Sequence, residues 1–223
     1  MKALALDTAA SCISIAARNE SLTCTIILDI GMHQSERLMP TVDSVLKECG
    51  LSVKDLDFVA ISIGPGSFTG LRLATAAAKA IKLATGCPIY GISSLDAYAH
   101  PYSCWNGLVL ATLDAKKHRF YAALYHKGVT VQEAQDVTPE EIALWIENQD
   151  QVLITGPDAK MLKNSLDSLN KGLSVFCFQD IVSCATEGMF TIGYNMLSHG
   201  KTPMEDYEGP IYLRKSEAEE KKD

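Results

Sequence analysis

The stretch that most constrains this chain is Gly64-Pro65-Gly66-Ser67-Phe68-Thr69-Gly70-Leu71-Arg72. Glycine reaches backbone angles closed to other residues, and proline fixes one dihedral and removes a donor, so no regular element runs through it. Both flanks are nonetheless strongly patterned. Asp57-Phe58-Val59-Ala60-Ile61-Ser62-Ile63 is a short apolar run with β-branched residues and predicts a buried strand. Leu71 to Thr85, with alanine at 74, 76, 77, 78, 80 and 84, predicts a helix. The stretch is a strand–turn–helix junction, with Ser67 or Thr69 placed to cap the helix.

Such a junction aims free N–H groups and a helix dipole at one point, which suits an anion. It is not a Walker A loop, since no lysine follows Gly70, and the glycine spacing is not the dinucleotide fingerprint. Two readings stand side by side: a phosphate-facing turn, or a tight structural turn. The helix also has two readings. Ala74, Ala77, Ala78, Ile81 and Ala84 share a face of little bulk, which lets another backbone approach from inside the domain or from another chain.

Composition narrows the function. A formal charge of −7 and a pI near 5.2 argue against binding nucleic acid alone, which calls for a basic patch. At 223 residues the chain holds one large domain or two small ones. No apolar run approaches the length of a membrane span, and the N-terminus is charged too soon for a signal peptide, so the expected location is the cytoplasm. Seven cysteines at irregular spacing, without a C-x-x-C, predict reduced thiols rather than disulfides or a zinc site.

In order, residues 2–6, 12–17 and 22–29 predict three strands joined by short turns, the first ending at Asp7-Thr8. Asp7 is placed either to meet a metal-bound phosphate or to cap its own turn. Ser35 is the expected N-cap of a helix carrying Leu38, Val42, Val45 and Cys49 at helical spacing. His33 has no second histidine one turn on, where Arg37 stands, so it is not half of a helical metal pair. After the glycine turn come a strand at 89–92 and a short helix after Ser93-Ser94. From 108 the order repeats. A strand ends in Asp114, further strands follow at 119–125 and 129–131, and Thr138-Pro139-Glu140-Glu141 is a capping box with proline at the first helical position. Strands at 152–155 and 175–178 alternate with helices at 159–166 and 185–197.

Two βββαβαβα halves predict an α/β protein of two actin-like or sugar-kinase-like lobes. The expected boundaries are 1–104, 105–214 with a docked tail, and a charged, disordered 215–223. In that fold a nucleotide sits between two aspartate-bearing turns. By that analogy Asp7, Thr8, Gly64, Gly66 and Asp114 are the phosphate-facing candidates.

Six blocks fall in the order of one family: Leu4-Ala5-Leu6-Asp7-Thr8, His33-x-Ser35-x-x-Leu38-x-Pro40, the glycine stretch, Gly91-Ile92-Ser93-Ser94-Leu95, Asp114-Ala115-Lys116 and Pro210-x-Tyr212-Leu213-Arg214. Over nearly its whole length the sequence resembles the TsaB (YeaZ) family of bacterial threonylcarbamoyladenosine (t6A) synthesis. The resemblance implies the actin-like (ASKHA) fold and a non-catalytic subunit. Such a subunit binds and activates the catalytic paralogue TsaD, which modifies adenosine 37 of tRNAs reading codons that start with A. It implies a TsaE-like ATPase as third component, tRNA met only indirectly, no metal, and no cofactor outside the complex, where ATP, ADP or Mg enter. TsaD carries two histidines four apart on a helix; here Arg37 breaks that pattern.

Family members pair through two first-lobe helices, here 36–49 and 70–85, and form homodimers with the same face. The resemblance therefore turns the alanine face into a partner surface, with Leu38, Val42, Val45, Leu71, Ala74, Ala77, Ala78 and Ile81 as candidates. The alternative function is an ATP-binding phosphotransfer enzyme of the same superfamily. A metallopeptidase is the remote third.

Overall fold

The computed structural model describes residues 1–169, 172–177 and 185–214. The charged stretch 215–223 lies outside the described residues. The first half runs β1 (Lys2–Asp7), β2 (Cys12–Asn19), β3 (Leu22–Asp29), α1 (Gln34–Glu48), β4 (Phe58–Gly64), α2 (Phe68–Thr85), β5 (Ile89–Ser93) and α3 (Ser94–Ala99). The second runs β6 (Leu108–Asp114), β7 (Phe120–His126), β8 (Val129–Val137), α4 (Pro139–Ile146), β9 (Val152–Thr155), α5 (Ala159–Ser168), β10 (Val175–Cys177) and α6 (Ala185–Ser198). The repeat read from the sequence is therefore present in the elements.

It is present in the topology as well. One sheet has the order β3-β2-β1-β4-β5 and the other β10-β9-β6-β7-β8. In each, the first three strands form an antiparallel meander, and the next two join it in parallel after a helical crossover.

Local chemistry accounts for most boundaries. Ser67 caps α2, its hydroxyl accepting from Gly70 N–H, and Gly86 ends the helix in the left-handed region at φ 76°. The capping box at α4 makes both its bonds between Thr138 and Glu141. Two expectations change. Ser35 lies inside α1 rather than at its N-cap, because a 3-10 turn over Gly31–His33 starts the helix earlier and puts His33 at the cap. β8 is nine residues long, not three, because it follows β7 through shifts in register at Ala122 and Leu124.

The chain divides into two compact units, one of Met1–Ala97 with Ala185–Ile211, the other of Tyr98–Cys184 with the chain from Tyr212 on. This differs from a boundary at 104/105: α6 closes the repeat of the second half but packs in the first unit. Strand alternation gives the reason. Leu4, Leu6, Val59 and Ile61 face one way, into a core with Val42 and Val45 of α1 and Ala74, Ala78 and Ile81 of α2. Ala3, Ala5, Ala60 and Ser62 face the other way and are buried. Those small side chains form a shallow bed for α6, where Gly193 lies against the Phe58 ring and Gly188 against the Ala97 carbonyl. Arg18 of β2 pins the helix, pairing with Glu187 and lying 4.5 Å over the Phe190 ring. The second unit has its own core, in which Leu110, Phe120 and Ile154 meet Ile142, Ile146 and Leu162.

Residues 203–214 form no helix or strand. In the first unit, Met204 N–H donates to Ile89 O at 2.8 Å and Ile211 N–H to Ile63 O at 2.7 Å. Lys79 and Lys82 of α2 bind the segment between them. In the second unit, Arg214 donates to Asp136 and to the Ala115 carbonyl.

Candidate functional site

The glycine turn joins the C-terminal end of β4 to α2, and the end of β1 lies against it. Thr8 Oγ1 donates to the Gly70 carbonyl at 2.7 Å, and Ser67 N–H to the Ala9 carbonyl at 2.7 Å. Asp7 is 2% exposed, and its Oδ1 accepts from Ala9 N–H at 3.1 Å and from Ser62 Oγ at 2.6 Å. Its carboxylate thus caps its own turn and ties β1 to β4. Asp7→Ala strands a buried hydroxyl and a buried N–H and should cost about 2–4 kcal/mol of stability, read from chemical denaturation. An unchanged unfolding midpoint would contradict this role.

The glycines themselves are packed against the protein's own backbone. A Cβ on Gly66 would stand 2.5 Å from the Ala9 carbonyl oxygen and 2.7 Å from the Ala9 Cβ. A Cβ on Gly70 would overlap the Thr8 carbonyl oxygen, and one on Gly64 the Ile211 carbonyl oxygen. Gly64 also has φ 121°, and the Gly64–Pro65 peptide is cis. The geometry accounts for all three glycines by close backbone approach, the tight-turn reading of the motif.

The structure brings Asp7, Thr8, Gly64 and Gly66 together in the first unit and places Asp114 in the second. There Asp114 N–H donates to Asp158 Oδ2 at 2.8 Å, while its carboxylate accepts from Lys116 N–H at 2.7 Å and Lys116 Nζ at 2.6 Å. Burial pushes the Asp158 carboxyl up, against the lowering effect of the Asp114 N–H bond. Among the described residues no three His, Cys, Asp or Glu side chains gather to hold a metal. His33 is exposed, its Nδ1 3.5 Å from a Glu36 carboxylate oxygen. The Cys87 thiol is buried and pushed up to about 11 by desolvation, which makes it a poor nucleophile.

The partner candidates need correction. Leu38, Val42, Val45, Leu71, Ala74, Ala77, Ala78 and Ile81 are all buried in the first unit, none more than 8% exposed. They hold α1 and α2 to the sheet and leave nothing for another chain. The outward apolar positions of α2 are Ala76, Ala80 and Leu83, spaced by four and three residues. Leu83 is 91% exposed, whereas Leu73 is partly buried against the first unit's core. On α1, which packs beside α2, Met39 is 47% exposed and is flanked by exposed Pro40, Asp43 and Ser44. The sequence held one signal for this face: Leu83 falls out of phase with the buried series 71, 74, 78 and 81.

The repeated βββαβαβα order and its two five-stranded mixed sheets define the class as an actin-like α/β protein. A family model for TsaD, tRNA N6-adenosine threonylcarbamoyltransferase, matches residues 30–185. The tRNA threonylcarbamoyladenosine biosynthesis protein TsaB of Bacillus subtilis is 30% identical over 178 residues, 76% of this chain and 76% of that protein. The solved structure of YeaZ from Pseudomonas aeruginosa superposes with a TM-score of 0.78 at 22% identity, covering 95% of this chain and 99% of that one. A Bacteroides thetaiotaomicron protein with an actin-like ATPase fold gives 0.52 at 10% identity over 85% of this chain and 95% of that one, a likeness of fold alone. The chain belongs to the TsaB (YeaZ) family. No helix among the described residues is long and apolar enough to cross a membrane.

Proposed function

We propose that this chain acts in tRNA threonylcarbamoyladenosine synthesis as a non-catalytic subunit. It binds and activates a TsaD-like catalytic subunit through the exposed faces of α1 and α2. The observation that carries the reading is the second apolar row on α2. Ala74, Ala78 and Ile81 fill the core, yet Ala76, Ala80 and Leu83 are exposed on another side of the helix and carry little bulk and no charge, with exposed Arg72 one turn before Ala76. A solvated helix face is normally polar. A row of small residues with a leucine at its end suits a second helix lying alongside. A non-catalytic role is supported by the glycine turn, whose space is taken by Thr8, Ala9 and Ile211.

In this reading a second copy competes for the same face, a TsaE-like ATPase joins the pair, and tRNA is met only through the catalytic subunit, in the cytoplasm. The test is an omission assay. TsaD, TsaE, threonylcarbamoyl-adenylate synthase, tRNA, threonine, bicarbonate and ATP are combined with and without this protein, and modified adenosine is quantified. Product is expected only when the chain is present; equal product without it overturns the proposal.

A further inference from the structure

Among the described residues each sheet ends in two edge strands, β3 and β5 in the first unit, β8 and β10 in the second. An edge presents backbone N–H and C=O groups that no neighbouring strand satisfies. Three of these edges are guarded. β5 is five residues long, and the tail lies on it, Met204 N–H donating to the Ile89 carbonyl at 2.8 Å. β10 is three residues long. β8 carries Glu133 and Asp136, and its register against β7 shifts at Ala122 and Leu124. Shortness, charge, irregular register and a covering segment are the devices that keep an edge from pairing.

β3 has none of them. Its eight residues, Leu22-Thr23-Cys24-Thr25-Ile26-Ile27-Leu28-Asp29, pair with β2 in one unbroken register, from Asn19 opposite Leu22 to Cys12 opposite Asp29. The strand holds no proline, lysine or arginine, and its one charge is Asp29 at the end. None of its residues is buried; Leu22 is 52% and Ile27 39% exposed.

The order of side chains along β3 matches itself when reversed. Turned about Ile26, the strand sets Ile26 opposite Ile26, Cys24 opposite Leu28, Thr25 opposite Ile27 and Thr23 opposite Asp29. Cys24, Ile26 and Leu28 pack against the first unit's core, so on that face apolar side chains meet apolar ones. On the other face two β-branched residues meet. Thr23 Oγ1 accepts from Arg18 Nε, which leaves the hydroxyl proton to donate to a carboxylate opposite. The two Asp29 side chains stand six residues of strand apart, about 20 Å and beyond the screening length. The chain's charge of −7 therefore sets no like charges opposite each other along this strand.

We infer that a second copy of this chain adds to β3, antiparallel and about a two-fold axis at Ile26, joining two five-stranded sheets edge to edge. Such an isologous contact closes on itself and leaves no free β3 for a third copy. It uses none of the α1 and α2 residues assigned to the catalytic subunit, so it stands apart from that reading. A seam of one strand is small, and the dimer is reversible and concentration-dependent.

The test is sedimentation velocity of the full chain over a concentration series, for wild type, Thr25→Lys/Ile27→Lys and Ala80→Glu. All three substituted positions are exposed, and thermal melts confirm that each variant is folded. The double variant sets lysine opposite lysine twice and should weaken self-association by at least about tenfold, while Ala80→Glu should not. Wild type that stays monomeric at every concentration overturns the inference. So does a dimer that Ala80→Glu abolishes and the double variant keeps, which puts self-association on α2 instead. A second measurement reads the register. Ile26→Cys faces its own copy across the axis and should link two chains by a disulfide in glutathione buffer. Ile27→Cys faces Thr25 and should link no faster than wild type. Equal linking by both variants overturns the pairing.

Discussion

Gly70→Ala is expected to destabilise the protein by about 3 kcal/mol, a drop in melting midpoint of roughly 6–12 °C for a chain of this size. The sign runs against the helix rule. Gly70 sits in the first turn of α2, where alanine ordinarily gains up to about 1 kcal/mol over glycine. Here the added methyl would overlap the Thr8 carbonyl oxygen, and that carbonyl is backbone at the end of β1. Relieving the clash means lifting α2 or shifting the strand end, and either disturbs the Thr8 bond to the Gly70 carbonyl and the buried Asp7–Ser62 pair. Gly86→Ala is the control. Gly86 has φ 76° but open space around a Cβ, so alanine there pays backbone strain alone, about 1 kcal/mol. A Gly70→Ala protein that melts with the wild type would refute the close approach.

Ala78→Glu and Ala80→Glu, two residues apart on one helix, should fail in opposite ways. Ala78 is fully buried in the first unit's core. An uncompensated charge there costs about 3–5 kcal/mol, so the variant should melt early or fail to accumulate as folded protein. Lost partner binding in that variant would report lost fold. Ala80 is exposed, and glutamate there should leave the melt within about 0.5 kcal/mol of wild type. It should nevertheless abolish co-purification with the catalytic subunit. Undiminished co-purification of a folded Ala80→Glu would move the partner surface away from this row.

These variants mark where the sequence was legible. The strands, the repeated order of elements, the capping box at Thr138 and an α2 cap at Ser67 or Thr69 follow from contacts spanning a few residues, which neighbours in the chain reveal; the structure decides for Ser67. The face of α2 does not. Spacing groups Ala74, Ala77, Ala78 and Ile81 on one face, but small side chains suit a core and a partner alike, so periodicity does not say which covers it. Only the sheet position of Leu4, Leu6, Val59 and Ile61 decides which alanines are covered. The same holds for α6, which completes the second half in order but lies on a bed of alanines from β1 and β4 in the first unit.

The candidate site divides along the same line. Asp7, Thr8, Gly64 and Gly66 were visible as a group because strand-end aspartates and glycine turns are local features. Whether the turn faces a ligand or another backbone depends on Ala9 and Ile211, one more than fifty residues upstream and the other more than a hundred downstream. By itself, then, the sequence determined the elements, their repeated order and the family, since these rest on short-range backbone chemistry and specific motifs. Only the tertiary structure decided which helix face is core, where the last helix packs and what fills the glycine turn, because each of these is a contact between segments that the chain's order does not pair.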